Sequence, residues 1–375
     1  MSQAETSVQS VTPLERARQW VSQSLTQENQ ITAYLEPLIQ VVLPGWTTDG
    51  VRSKVIQVRP ETNDVYTLVI RPGKRWKGFK AGQHLQITAE QNGSLQTRFF
   101  SVSSAPAYFK KTGLIEMSIR VQEGGRVTPW LRDAFAAGGI CNLSPAEGDF
   151  TLPEGNQPVL MIAGGSGITP FRSMLSQMAA SGDKRDAHLM FYVRDASNAL
   201  FQEEFEKIAA EHDNIRVTFM NSAEKGVFSA EHIKEICPDF AERKVMICGP
   251  TPMIQLVRQV VSGEGVSADN IMFEYFGAAP IELDRADAKD AYVSFEKGGV
   301  AAISSAENPV SLLELAEQNG LKPLAGCRVG VCHQCKCTKK SGVVLNTLTG
   351  QYSDTGREDI QLCVSVPVND VVLDV

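Results

Sequence analysis

From residue 51 to about residue 150 the apolar positions fall in short runs: VRSKVIQVRP, DVYTLVIRPG, HLQITAEQ, TRFFSVSS and LIEMSIRVQ. Gly, Pro and Asn punctuate them, and short strands with such turns predict a closed antiparallel barrel. Beyond residue 157 strand-like and helix-like runs alternate: QPVLMIA, PFRSMLSQMAASG, AHLMFYV, FQEEFEKIAA, IRVTFMN, SAEHIKEI, KVMICGP, PMIQLVRQVV and IMFEYF. That alternation predicts a doubly wound parallel sheet. Near the C-terminus AYVSFEK and VAAISSA read as a hairpin. SLLELAEQNGL, apolar at Leu312, Leu313, Leu315 and Leu321, reads as a short amphipathic helix ending near Gly320. The expected architecture is multidomain: an N-terminal helical extension (1–50), an antiparallel β-barrel (51–153), an α/β doubly wound domain (154–277), a linker (278–289) and an α+β domain (290–375). In the extension, LERARQWVSQSL and ITAYLEPLIQVVL form one or two helices, with Trp20, Val21, Leu35, Leu38 and Ile39 as apolar contacts. These helices either pack on the barrel or form a docking surface for a membrane enzyme.

The 375-residue length allows two to three domains, and the composition is that of an ordinary globular protein. No apolar run approaches the roughly 18–20 residues of a spanning helix, so the chain is not itself transmembrane. The net charge of −7 argues against general nucleic-acid binding. The start, MSQAETSVQSVTPLERARQW, lacks the basic-then-apolar pattern of a signal peptide. The expected location is therefore cytoplasmic, peripheral to the inner membrane only through a partner. In a reducing compartment clustered cysteines are metal ligands or reactive thiols rather than disulfides.

Four of the eight cysteines form such a cluster. Cys327, Cys332 and Cys335 are spaced C-x4-C-x2-C, and Cys363 follows from a distant segment. That is the spacing of a plant-type [2Fe–2S] cluster held by four thiolates. Zinc usually takes two C-x2-C pairs or a Cys/His mixture at short range. A Rieske centre requires two His ligands, and His333 has no second His in a matching motif. Gly330 relaxes the ligand loop, while Cys337 falls outside the ligand pattern and reads as a small core residue.

Four further segments carry cofactor chemistry. In QPVLMIAGGSGITPF, residues 157–171, a strand runs into Gly164, Gly165 and Gly167 and then a helix. Thr169 suits the N-cap and Pro170 the first helical position, so free N–H groups face an incoming pyrophosphate. Cys248, Gly249 and Pro250 follow the strand Lys244–Ile247, where ligands bind in open α/β sheets. In the barrel, Arg98-Phe99-Phe100-Ser101 places Arg98 and Phe100 on one strand face. The guanidinium can clamp a phosphate and the ring can lie against an aromatic cofactor. Gly124 to Phe135, GGRVTPWLRDAF, offers a second helix N-terminus with Thr128 as N-cap.

In this order the motifs resemble ferredoxin-NADP-reductase-type flavoproteins over residues 51–277. Residues 290–375 resemble a plant-type ferredoxin, a β-grasp fold. The resemblance implies that Arg98, Phe100, Ser101, Gly125, Val127 and Thr128 hold the flavin, with Ser101 bonding its ring edge. Gly148-Asp149-Phe150 then closes the barrel. It puts Cys248-Gly249-Pro250 beside the nicotinamide, and Glu274 and Phe276 beside the flavin ring; Ser101, Cys248 and Glu274 are the candidate catalytic residues. FAD is expected over FMN. Arg194, at the end of AHLMFYV, can accommodate a 2′-phosphate, whereas Asp195 opposes it. NADPH is expected over NADH. The implied activity is NAD(P)H-dependent reduction of flavin, then of the cluster, then of a terminal acceptor protein. AYLEPLIQVVLP and VRPETNDVYTLVIRPG resemble the reductase partners of bacterial fatty-acyl (stearoyl-CoA 9-) desaturases, which implies a membrane desaturase as acceptor. The alternatives are a reductase for a Rieske ring-hydroxylating oxygenase or hydrocarbon monooxygenase and, in another class, a redox-responsive iron–sulfur binding protein.

Overall fold

The computed structural model describes residues 50–91, 94–121, 127–136, 138–195, 198–276, 289–307, 309–326, 328, 330 and 333–375. The expected N-terminal helices and nearly all of the linker lie outside the described residues.

Six strands build the first domain: β1 (Val51–Pro60), β2 (Val65–Arg71), β3 (His84–Gln91), β4 (Ser94–Ser101), β5 (Ile115–Arg120) and β6 (Gly139–Leu143). All pairings are antiparallel, in the order β4-β3-β6-β1-β2-β5. The sheet curls until its two edges approach, where Ser103 N–H donates to Glu116 O at 2.8 Å. The barrel is nearly closed, because β4 and β5 approach without forming a ladder. Alternate residues such as Leu85 and Ile87, and Ile115, Met117 and Ile119, fill the interior. Two elements escaped the sequence pattern. Helix α1 (Pro106–Thr112) has no side-chain cap at Ala105 and buries no residue fully. Strand β6 is only five residues, GICNL. Helix α2 (Val127–Ala134) packs Val127 and Leu131 into the barrel core.

The second domain is a five-stranded parallel sheet: β7 (Val159–Gly164), β8 (Ala187–Val193), β9 (Ile215–Asn221), β10 (Lys244–Gly249) and β11 (Ile271–Tyr275), ordered β11-β10-β7-β8-β9. Its helices are α3 (Ile168–Ser181), α4 (Gln202–Glu211), α5 (Ser222–Lys225), α6 (Ala230–Ile236) and α7 (Thr251–Gly263). Both faces are covered, as β7 itself records. Val159, Met161 and Ala163 pack with α3, while Leu160 and Ile162 pack with residues of α6 and α7. The expected doubly wound sheet is present.

The third domain joins β12 (Ala291–Phe295), β13 (Val300–Ser304), β14 (Lys336–Ser341), β17 (Glu358–Gln361) and β19 (Val371–Leu373) in the order β13-β12-β19-β14-β17. β12 and β19 run parallel, and a small sheet of β15 (Val344–Asn346), β16 (Gln351–Tyr352) and β18 (Ser365–Pro367) lies beside them. The predicted hairpin is β12–β13. The predicted helix is α8 (Leu312–Gln318); Ser311 caps it by accepting from Glu314 N–H. Leu312, Leu313 and Leu315 enter the domain core beside Cys335, Cys337 and Cys363.

Candidate functional site

Four polar residues from two domains meet where the barrel faces the parallel sheet. His84 opens β3 and lies directly opposite Ser101, the last residue of β4. Cys248, near the end of β10, lies directly opposite Glu274 of β11. The domains are joined here by His84 Nδ1, 3.1 Å from Glu274 Oε1. Two buried atoms at this junction, Ser101 Oγ and Glu274 Oε2, have no hydrogen-bond partner among the described residues. A buried polar atom without a partner costs about 1–3 kcal/mol, so the pair fits a bound group with polar edges. That is what an isoalloxazine ring presents.

Close packing explains two glycines. A Cβ on Gly148 would sit 2.9 Å from the His84 ring, and Gly148 holds φ at +105°. The expected barrel-closing glycine therefore makes room for the His84–Glu274 pair. A Cβ on Gly167 would lie 2.2 Å from Cys248 O, so the start of α3 is seated on the end of β10. Gly164, Gly165 and Gly167 are thus brought against Cys248, Gly249 and Pro250, as a nucleotide site at the carboxyl edge of a sheet requires.

Electrostatics sort the candidates. Burial pushes the Cys248 thiol well above its ordinary value, and the Glu274 charge adds to this. Cys248 is a neutral thiol. The His84 imidazole is raised, chiefly by its hydrogen bond with Glu274, against the effect of burial. Half-buried Arg98 donates through Nη1 to Thr97 O at 2.7 Å, and half-buried Phe100 packs against the barrel core. Exposed Arg194 follows β8 directly, and its carbonyl accepts from Ala223 N–H at 3.3 Å. Phe276 is exposed just past β11.

Three local expectations are corrected. α3 begins at Ile168 after a 3-10 turn, so Thr169 lies inside the helix and Pro170 one position further in. The Thr169 hydroxyl donates to Ser166 O at 2.9 Å instead of accepting from an N–H. Likewise α2 begins at Val127, placing Thr128 within its first turn, where its carbonyl accepts from Tyr66 Oη at 2.8 Å. Pro is tolerated anywhere in a first turn, so its presence alone could not fix the cap. The Val127 side chain is in the barrel core, which leaves only its backbone for a phosphate. Cys248 and Gly249 belong to β10 rather than following it. Gly125 lies outside the described residues.

Of the four metal candidates, Cys327 and Cys332 lie outside the described residues. Cys335 and Cys363 are buried and close together: Leu362 N–H donates to Cys335 O at 3.1 Å. The segment leading into Cys335 adopts left-handed backbone at Arg328 (φ +64°), Gly330 (φ +85°) and His333 (φ +55°). Such non-glycine residues cost about 1–3 kcal/mol each. Gln361 Nε2 holds Gly330 O at 2.6 Å, and Arg328 is clamped by Glu317 of α8 at 2.8 and 2.5 Å. A strained loop pinned around buried thiols fits a four-thiolate cluster. Burial also lifts the Cys337 thiol to about 11, as befits a core residue rather than a ligand.

Sequence reasoning missed His84 and the second contact between the domains. Arg172 of α3 donates to Glu116 of β5 at 2.7 Å, and to Glu204 of α4 at 2.9 Å. Glu116 also accepts from Arg59 at 3.0 Å. Burial alone would raise the Glu116 carboxyl, but Arg172 and Arg59 outweigh it and hold the pKa below the ordinary value. Ser173 Oγ donates to Ser104 O at 2.7 Å, and Gln177 Oε1 accepts from Ala107 N–H at 2.8 Å.

Residues 52–152 match an oxidoreductase FAD-binding domain, 161–259 an oxidoreductase NAD-binding domain and 296–368 a 2Fe-2S iron-sulfur cluster binding domain. The chain is 28% identical to an NADPH oxidoreductase of Mycobacterium tuberculosis (strain H37Rv), over 92% of this chain and 90% of that one. It is 28% identical to an NADH oxidoreductase of Escherichia coli (strain K12), over 86% and 97%. It is 25% identical to the glycine betaine monooxygenase reductase subunit of Chromohalobacter salexigens, over 89% and 98%. The solved structure of phthalate dioxygenase reductase has the same fold, with a TM-score of 0.58 over 87% of this chain and 98% of that one, at 23% identity.

Proposed function

Starting from an oxidoreductase whose three domains bind FAD, a nicotinamide dinucleotide and a [2Fe–2S] cluster, we propose that this protein is the reductase component of an oxygenase system. Electrons enter from NAD(P)H and leave through the cluster to a terminal oxygenase. One observation carries the reading: Ser101 Oγ and Glu274 Oε2, buried and unpartnered among the described residues, converge where the FAD and nucleotide domains touch. A flavin held there would supply the exchange between a two-electron hydride and single electrons, the currency of a two-iron cluster.

The chain's own residues supply placement. Ser101 gives a hydroxyl to the ring edge, and Arg98 a charge-assisted contact to phosphate. The Gly164–Gly167 turn and the start of α3 present N–H groups to the dinucleotide pyrophosphate. Cys248, uncharged and fully buried in the core, backs the nicotinamide site from beneath. Glu274, held through Oε1, keeps Oε2 for the reacting edge. Cys335 and Cys363, with Cys327 and Cys332, hold the cluster.

The oxygenase reading takes over from the desaturase. Reductase subunits named for glycine betaine monooxygenase, stachydrine N-demethylase and 3-ketosteroid-9-alpha-monooxygenase are similar across 83–89% of this chain. The segments that suggested a desaturase are less distinctive: AYLEPLIQVVLP lies outside the described residues, and VRPETNDVYTLVIRPG is the β1–β2 hairpin of the barrel. The redox-responsive binding protein loses ground because every catalytic candidate converges on one junction. Among the described residues no helix is long and apolar enough to cross a membrane.

Reconstitution tests the reading. The purified protein should reduce a Rieske-type oxygenase with NAD(P)H, two electrons per turnover. Reduction of a membrane desaturase but of no oxygenase would overturn the partner. Failure to reduce cytochrome c, in protein loaded with FAD and cluster, would overturn the reductase itself. We assign NADPH over NADH through Arg194. The relatives carry both nucleotides in their names, so kcat/KM for each in wild type and Arg194→Ala decides. Loss of the NADPH preference alone supports the assignment; an NADH preference in wild type ends it.

A further inference from the structure

We propose that His84 is a positioning residue for Glu274: its Nδ1–H holds Oε1, keeps Oε2 unpaired at the hydride-exchange site, and links that buried carboxylate to solvent. The inference rests on the reading above, that this junction holds the flavin.

The backbone and the neighbouring side chains place the imidazole. The main-chain N–H of His84 donates to Glu147 O at 3.0 Å, and the main-chain N–H of Glu147 donates to His84 O at 2.9 Å, which holds the start of β3 and so the base of the side chain. Phe99 meets the ring edge-on, with centroids 5.7 Å apart. Gly148 lies on the remaining side, where any Cβ would strike Nδ1 and Cε1. Ser101 faces the ring directly across the strand pair. So confined, Nδ1 reaches one acceptor among the described residues, Glu274 Oε1. An ionised carboxylate can only accept, so Nδ1 carries the proton.

Charge and exposure give the arrangement a direction. The groups facing His84 are Glu274 and Glu147, both anionic when ionised, together with Ser101 and the uncharged Cys248 thiol beside Glu274. No cation offsets them among the groups that shift His84, so the imidazolium form is favoured. The His84 side chain is 28% exposed and that of Glu274 14%, with Oε2 sealed from water. His84 is therefore where a proton passes between solvent and the Oε1 side of the carboxylate. Without the histidine, Glu274 would be a buried anion with neither partner nor route.

The test joins a titration with a rate profile, in the full-length protein loaded with FAD and cluster. The His84 ring is followed by NMR with labelled histidine and assigned by its loss in His84→Gln. Its midpoint should lie above that of an ordinary histidine and fall back in Glu274→Gln. Flavin reduction by NAD(P)H, followed by stopped flow, should lose rate as pH rises through the same midpoint. His84→Gln, which keeps a donor but cannot titrate in this range, should lower the rate and abolish that alkaline limb. His84→Phe should lower the rate further at every pH. A midpoint unmoved by Glu274→Gln, or an alkaline limb that survives in His84→Gln, overturns the proposal. Should a His84 variant fail to fold, the wild-type and Glu274→Gln titrations decide. Wild type that retains no FAD would end the functional reading instead, and the titration would still report on the ion pair.

Discussion

Among the described residues two ionic contacts cross from the barrel to the nucleotide domain, and they are built on opposite principles. At Glu116 every oxygen has an arginine partner, and Arg59, Arg172 and Glu204 complete a chain. Arg172 is further covered by the Phe201 ring, 4.2 Å from its guanidinium carbon. Nothing there is left over for a ligand, and arginine keeps its charge at any working pH. At Glu274 one oxygen is held and the other is not, and the partner is a histidine, which titrates near neutrality. A saturated contact fixes two domains together. An unsaturated one stores a polar group for something else to use. The difference separates scaffold from site without reference to conservation.

The largest break in this comparison comes from the saturated side. Glu116→Ala removes the charge-assisted bonds from Arg172 and Arg59 and leaves Arg172 only Glu204, which should cost about 1.5–3 kcal/mol for each bond lost in denaturant unfolding of the barrel and nucleotide pair. Its junction chemistry should otherwise persist: reduction by NAD(P)H at low temperature should still follow the wild-type pH profile. A loss under 1 kcal/mol would mean that the network is not structural.

Next is Gly148→Ala, which drives a methyl into the His84 ring at a position with φ of +105°. Overpacking of this kind costs roughly 1–3 kcal/mol. Unlike Glu116→Ala it should also weaken FAD retention and slow flavin reduction. Normal retention and rate would show that the junction tolerates displacement of the pair.

The smallest effects separate the contacts by pH alone. Glu116 has a depressed pKa, so its contribution is complete above the ordinary carboxylate value near 4 and disappears as pH falls through the lower folded value. His84 has a raised pKa, so its contribution is complete below about 6.5 and disappears as pH rises through the folded value. Unfolding midpoints measured against pH should therefore slope at both ends. Glu274→Gln should flatten only the alkaline slope. Flattening at the acid end would contradict the assignment.

The sequence made much of this legible. Ser101 and Cys248 sit in local motifs, and each strand carrying them shows its own apolar pattern; the junction follows because both strands end at the same edge. Glu274 was reachable for the same reason. His84 was not, because its partner is 190 residues away and the contact depends on the β3–β4 register, the domain docking and a glycine at 148 together. Arg172 and Glu116 were hidden for a similar reason: on a helix and a strand they look like solvent-facing charges. The helix caps went wrong at Thr169 and Thr128 because a proline suits several first-turn positions, and tertiary seating on Cys248 O, not the cap, decides where α3 starts. α1 escaped because seven residues with no buried side chain leave no periodic trace.

α3 has a mechanical consequence. The helix whose first turn is proposed to meet the nucleotide is tied to the barrel along its next two turns, through Arg172, Ser173 and Gln177. Parting the domains like a clamshell would sever all three ties at once. The spacing between the two domains at the proposed site is thus set when the chain folds. Traffic in and out must then use a door smaller than a domain. Phe276, 46% exposed, lies just past β11, two residues beyond Glu274.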